Sequence, residues 1–139
     1  MSARRRRALS VMEHLRRADI DTLRREQADV IREMSELTEA RTSLEEKLRT
    51  ERHNPTPEAM PYVAGFVDAL TSQINATKAR IRELEPILAA FERKQTALFQ
   101  EQKVYETVRL SDLHRERAER QRKEQAEIEE LTLLRWGRD

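Results

Sequence analysis

The chain has 139 residues, with 27 Lys and Arg against 26 Asp and Glu, a net charge of +1 and a mean hydropathy of −0.87. So polar a composition cannot enclose a large globular core, a charge near zero argues against nucleic acid as the main partner, and two glycines leave too little material for phosphate-cradling loops. Cysteine is absent, which removes disulfides and thiolate metal sites and fits a reducing cytoplasm.

The N-terminus, Arg4-Arg5-Arg6-Arg7 followed by Ala8-Leu9-Ser10-Val11-Met12, begins like a secretory signal, but Glu13 and His14 interrupt it before an apolar region develops. It reads as mature cytoplasmic sequence, and no later stretch is apolar enough to span a membrane. A first helix is predicted over residues 4–52. In its N-terminal third, Leu9, Met12 and Leu15 connect to Ile20 only through a register shift, so that end is expected to pack weakly and splay. From Ile20 a heptad seam runs unbroken through Leu23, Gln27, Val30, Met34, Leu37, Arg41, Leu44 and Leu48, with seven of nine positions apolar.

Residues 53–61 contain three of the four prolines, in Asn54-Pro55-Thr56-Pro57 and Pro61, and each removes a backbone donor and restricts its predecessor. The helix must stop there, which makes this segment the tip of a hairpin. A second helix is predicted over 62–134, with Pro61 suited to its first turn. Its seam holds one register from Val63 and Val67 through Leu70, Ile74, Thr77 and Ile81 to Leu84, Leu88 and Phe91. It then continues through Gln95, Leu98, Gln102 and Tyr105, for ten apolar or aromatic residues in thirteen. Pro86 falls at an outward position of this seam, where the lost hydrogen bond faces water, so a bend rather than a break is expected.

The fold class that follows is all-α: an antiparallel two-helix coiled-coil hairpin, a single domain over 1–139, with the second helix extending past the first. Centring it on the middle of the tip pairs residues whose numbers add to about 115. Leu48 is then expected near Val67, Leu37 near Thr77, Ile20 near Gln95 and the N-terminus near Leu113. The last turns of the second helix have no partner in this scheme. They are charged from Ser111 to Glu127 and end in an apolar patch of Ile128, Leu131, Leu133, Leu134 and Trp136.

Candidate chemistry is sparse. His14, His53 and His114 are separated by the hairpin register, and none has a second ligand one turn away, so no metal site is expected. Paired carboxylates such as Glu45-Glu46 and Glu129-Glu130 lie on charged helix with no cleft to shift their pKa values, so no catalytic acid or base is expected. The cluster Arg4 to Arg7 fits a solvated terminus, an acidic protein partner or a nucleic acid, although no aromatic residues are interleaved with it to stack on bases. The hairpin brings it beside Arg115, Arg117, Arg120, Arg122 and Lys123, which implies either an acidic partner or mutual repulsion that loosens this end. Near the tip, Met60, Tyr62, Val63, Phe66 and Val67 gather more apolar surface than a seam needs, with Tyr62 and Phe66 on its flank as either a cover or a contact.

The run Tyr62-Val63-Ala64-Gly65-Phe66-Val67-Asp68-Ala69-Leu70, the segment Phe91-Glu92-Arg93-Lys94-Gln95 and the charged stretch from Arg115 to Glu130 resemble the FliJ-type central-stalk proteins of flagellar and virulence type III export ATPases. The likeness extends over nearly the whole chain, but Pro86, the proline-rich tip and the N-terminal third depart from that pattern. The resemblance implies an antiparallel helical hairpin whose open end enters the central hole of the hexameric export ATPase, promotes ring assembly and links it to the cytoplasmic domain of the export gate. It also implies handling of export chaperones and a place in the cytoplasm, peripheral to the inner-membrane export apparatus, with no cofactor and no catalytic residue of its own. Carried over by position, Tyr62, Phe66 and Leu70 become candidate contacts for the gate. Arg4, Arg5, Arg6, Arg7, Arg115, Arg117, Arg120, Arg122 and Lys123 become candidate contacts for the ATPase.

Physical reasoning adds that two helices side by side measure about 20 Å across, a width able to enter a ring's axial hole. A helix that outruns its partner would touch six ring subunits unequally. The alternative with the same heptads is a generic coiled-coil adaptor or dimerisation protein without ATPase contact, self-associating through the C-terminal patch.

Overall fold

A computed structural model describes residues 2–53, 57–58 and 60–137. It contains two helices, α1 (Ser2–His53) and α2 (Met60–Trp136), within two residues of the bounds expected from the sequence. Of the expected tip, Asn54-Pro55-Thr56 and Ala59 lie outside the described residues, while Pro57 and Glu58 form a turn. Pro61 sits in the first turn of α2, where a missing N–H costs nothing. At the far end the Gly137 N–H donates to the Leu133 carbonyl at 3.0 Å and closes the last turn. Arg52 and Arg135 place cations at the negative helix ends. Pro86 is exposed and α2 is helical through it, as its outward position predicts.

The chain forms an antiparallel helical hairpin, and it divides into two compact units. The first is Asp21–Gln95. Every seam position named above within it is at least partly buried, with Leu70, Ile74, Ile81 and Leu84 forming its core and Leu84 almost wholly enclosed at 1% exposure. The polar seam residues are accommodated individually. Gln95 Nε2 donates to Gln27 Oε1 at 2.7 Å, which pairs two amides across the seam. Thr77 Oγ1 donates to the Gln73 carbonyl at 2.8 Å within its own helix. Arg41 lies along the seam with its head 3.8 Å from Glu45.

The Gln27–Gln95 pair corrects the expected pairing by one heptad, because Gln95 was to meet Ile20. Stepping seven residues along each helix from this pair sets Met34 opposite Leu88, Arg41 opposite Ile81 and Leu48 opposite Ile74. The intervening rows set Leu37, not opposite Thr77, but opposite Leu84. Centring on the middle of the tip assumed that the helices end level. In the observed register Glu51 faces Leu70, so the first two turns of α2 overhang the end of α1.

The second unit is Met1–Ile20 with Thr96–Asp139. Here the expected register shift is absent. The heptad that passes through Ile20 continues back through Arg16, Glu13, Leu9 and Arg6, all at least partly buried, while Leu15 is half exposed at 50%. On α2 the seam likewise continues past Gln102 and Tyr105 to Arg109, Asp112 and Glu116. The N-terminal third therefore keeps its register by replacing apolar rows with charged ones. From Glu119 to Gly137 every residue is exposed, so α2 outruns its cover as expected.

Candidate functional site

Two surfaces carry the sequence-predicted contacts, one in each unit. In the Asp21–Gln95 unit, the overhang of α2 leaves Tyr62 83% exposed and Phe66 46% exposed, while Val63 between them is partly buried. These three residues and Glu51 line a shallow open groove. The aromatic pair is accordingly a surface feature and not a cover for the seam. Leu70 does not join it: at 4% exposure it is a core residue facing α1, and its assignment as a gate contact is corrected on that ground.

In the second unit the arginine-rich end is partly neutralised from within. Glu13, with a side chain 4% exposed, accepts from Arg109 Nε at 2.6 Å and from Arg109 Nη2 at 3.2 Å. This fork geometry is the strong form of a carboxylate–guanidinium pair. Arg6 pairs with Glu116, Arg5 Nε lies 3.3 Å from the mostly buried Asp112, and Arg16 Nε lies 3.1 Å from Glu101. Glu116, within the second basic cluster, and Asp112, just before it, thus meet the first cluster, a neutralisation by the chain's own carboxylates that stands beside the two expected alternatives of an acidic partner or mutual repulsion. Arg6, with its side chain 18% exposed and held in the seam, is removed from the candidate partner contacts.

Arg4, Arg7, Arg115, Arg117, Arg120, Arg122 and Lys123 are exposed, and Arg5 keeps 63% of its side chain in solvent despite its pair. Arg120 also reaches the partly buried Glu116 of its own helix at 3.6 Å, a long contact of small energetic weight. Beyond them Ile128, Leu131, Leu133, Leu134 and Trp136 are 58–79% exposed, a concentration of apolar surface on a helix without a partner.

Two arginines stand out electrostatically. The hydrogen bond that Arg109 donates to Glu13 raises the Arg109 pKa above the ordinary arginine range, against a smaller opposing effect of desolvation and with further help from the Glu13 charge. In the other unit Arg80 is raised by hydrogen bonds to Glu33 at 2.9 Å and Glu83 at 3.0 Å. Both shifts hold the cation more firmly, so these arginines act as fixed charges and not as proton carriers. His14, His53 and His114 are each exposed. Among the described residues no three His, Asp or Glu side chains converge as metal ligands, and no helix is long and apolar enough to cross a membrane.

The charged seam of the second unit is invisible to apolar periodicity, because its rows are ionic. The signal was present as Arg6, Glu13 and Arg16 at the spacing of three and four that continues from Ile20, complemented by Arg109, Asp112 and Glu116 on α2. Set beside known proteins, the chain matches no family model, no curated protein and no solved structure.

Proposed function

We propose that this chain is a coiled-coil docking protein acting as the central stalk of a type III, flagellar-class protein-export ATPase in the cytoplasm. The observation that carries the reading is the fully exposed length of α2 from Glu119 to Trp136, a charged shaft ending in apolar side chains and left without cover by α1. Such a helix suits insertion into a ring, where the basic residues Arg115, Arg117, Arg120, Arg122 and Lys123 meet acidic surface and the apolar end meets an apolar wall. Nucleotide chemistry belongs to the ring. The stalk contributes unequal contacts around it, which favour assembly and bias one subunit over its neighbours.

Exposed Tyr62 and Phe66 supply a separate aromatic contact that suits the cytoplasmic domain of the export gate. Export chaperones are a further class of partner for the same helical surfaces.

The experiment is the turnover and oligomeric state of the cognate export ATPase with and without this protein at moderate salt. Substoichiometric chain that drives hexamer formation and raises hydrolysis supports the stalk. Unchanged turnover and assembly, with no complex formed, refutes it and leaves an adaptor coiled coil without ATPase contact.

A further inference from the structure

The α2 helix carries a second heptad seam, displaced by one residue from the seam packed on α1. It begins at Leu110, immediately after Arg109, and runs at steps of three and four to Leu134. One residue corresponds to about 100° of rotation, so this seam lies on a different side of the helix from the one that α1 covers. Leu110 is 47% exposed, Leu131 66% and Leu134 61%, while Leu113 is half-buried. The charged positions between them are all exposed.

The order of residues along this seam is self-complementary when the helix is turned end for end. About an axis at residue 122, Leu110 meets Leu134 and Leu113 meets Leu131. Between these leucine rows, Arg117 meets Glu127 and Arg120 meets Glu124. Each pairing occurs twice in a symmetric dimer, as an isologous interface requires. A parallel arrangement would instead set arginine on arginine and glutamate on glutamate.

We infer that this length of α2 pairs antiparallel with the same length of a second copy of the chain. The overlap is about 37 Å of helix, with leucine rows at both ends and four cross-copy ion pairs at the centre. An unrelated apolar groove would need only the leucines. The reversal of charge at the midpoint, matched by leucines at equal distances on either side, is a complementarity that specifies this sequence as its own partner. The intrahelical Arg120–Glu116 contact is long, at 3.6 Å, and Glu116 is already engaged by Arg6, so Glu124 of the partner copy can replace it for the exposed Arg120.

The inference goes beyond the stalk reading and does not rest on it, since no ATPase enters the test. Where both hold, the second copy and the ring compete for the same turns of α2.

The test is the mass of the full chain in solution, by sedimentation equilibrium over a range of concentrations. The wild-type chain is expected to approach twice its 16.5 kDa. R117E/R120E sets four glutamates on four glutamates in each dimer, and E124R/E127R sets four arginines on four arginines. Each variant alone is expected to be helical and monomeric, because every substituted side chain is exposed. Mixed in equal amounts they are expected to regain the doubled mass as a one-to-one heterodimer, and the combined variant R117E/R120E/E124R/E127R to regain it alone. A wild-type chain that stays at 16.5 kDa at the highest concentration overturns the inference. Retention of the dimer by either double variant, or failure of the mixture to associate, overturns it equally.

Discussion

Replacing Arg109 with alanine strands the Glu13 carboxylate, whose side chain is 4% exposed and loses donors at 2.6 and 3.2 Å. An exposed ion pair contributes about 0–1 kcal/mol, whereas severing a fully buried one costs about 3–5 kcal/mol. Glu13 is buried but the Arg109 side chain is 29% exposed, so the cost falls between these limits, at about 2–3 kcal/mol. Glu13→Ala removes the buried charge and leaves an arginine that can turn to water, at about 1 kcal/mol. The double variant should resemble Glu13→Ala, which gives a coupling of about 2–3 kcal/mol in the double-mutant cycle.

Urea denaturation followed by circular dichroism measures the global part. Because the pair belongs to the unit containing the chain's first helical turns, amide exchange over residues 3–20 should report local opening as well. The pH dependence has a definite sign. Arg109 has a raised pKa in the folded chain, so its contribution is complete below the unfolded arginine value and is lost only as pH rises through the higher folded one. Near neutral pH the coupling should therefore not decline through loss of the Arg109 proton. A coupling below about 0.5 kcal/mol, with exchange over residues 3–20 unchanged, would refute Glu13 as a seam residue.

Leu84→Ala should cost about 2–5 kcal/mol, toward the upper end because the side chain is only 1% exposed, and a lowered thermal midpoint reads it directly. The double variant Tyr62→Ala/Phe66→Ala should keep its helicity and stay within about 0.5 kcal/mol of wild type for each substitution, while losing binding to an export-gate cytoplasmic domain. Loss of helicity would show that these rings serve packing. Pro86→Ala restores an exposed helix-interior N–H and should raise stability by about 1–3 kcal/mol in denaturant titrations.

Periodicity made most of the fold legible. The seam from Ile20 to Leu48 and from Val63 to Tyr105 is buried or partly buried at every position, because a sustained step of three and four leaves one face for apolar contact. Less legible was the open unit, where Arg6, Glu13 and Arg16 take seam positions that a hydrophobicity search skips. Their burial depends on Glu116, Arg109 and Glu101, far along the chain on α2, and only a cross-helix comparison reveals it. The candidate contacts show the same division. Tyr62 and Phe66 were identifiable as flank positions, but their exposure follows from the overhang of α2, which depends on the register. Leu70, one turn beyond Phe66, is covered for the same reason.

The register itself is chosen by charge. A uniform leucine seam is nearly indifferent to sliding by one heptad, and the rows of Leu44 and Leu48 would find apolar partners in either direction. Charged rows remove that freedom. In the observed register Arg6 meets Glu116 and Glu13 meets Arg109. One slip places Arg6 opposite Arg109, and the opposite slip places Glu13 opposite Glu116 and Arg6 opposite Lys123. Both alternatives bring like charges into a partly dehydrated seam, a repulsive device of the kind that fixes pairing in coiled coils. Exchanging the pair as E13R/R109E tests this directly. The native contact survives with its sign reversed, but one slip then sets Arg6 against a glutamate and becomes attractive, while the other sets an arginine against Glu116 and keeps only its Arg6–Lys123 repulsion. In the cysteine-free chain, disulfide capture between residues 20 and 102 reports the native register and capture between residues 20 and 95 reports the slip. Wild-type charges should give the first alone, and the exchanged pair should give both. Capture confined to residues 20 and 102 in both backgrounds would mean that the tip and the Gln27–Gln95 row hold the register without help from the ionic end.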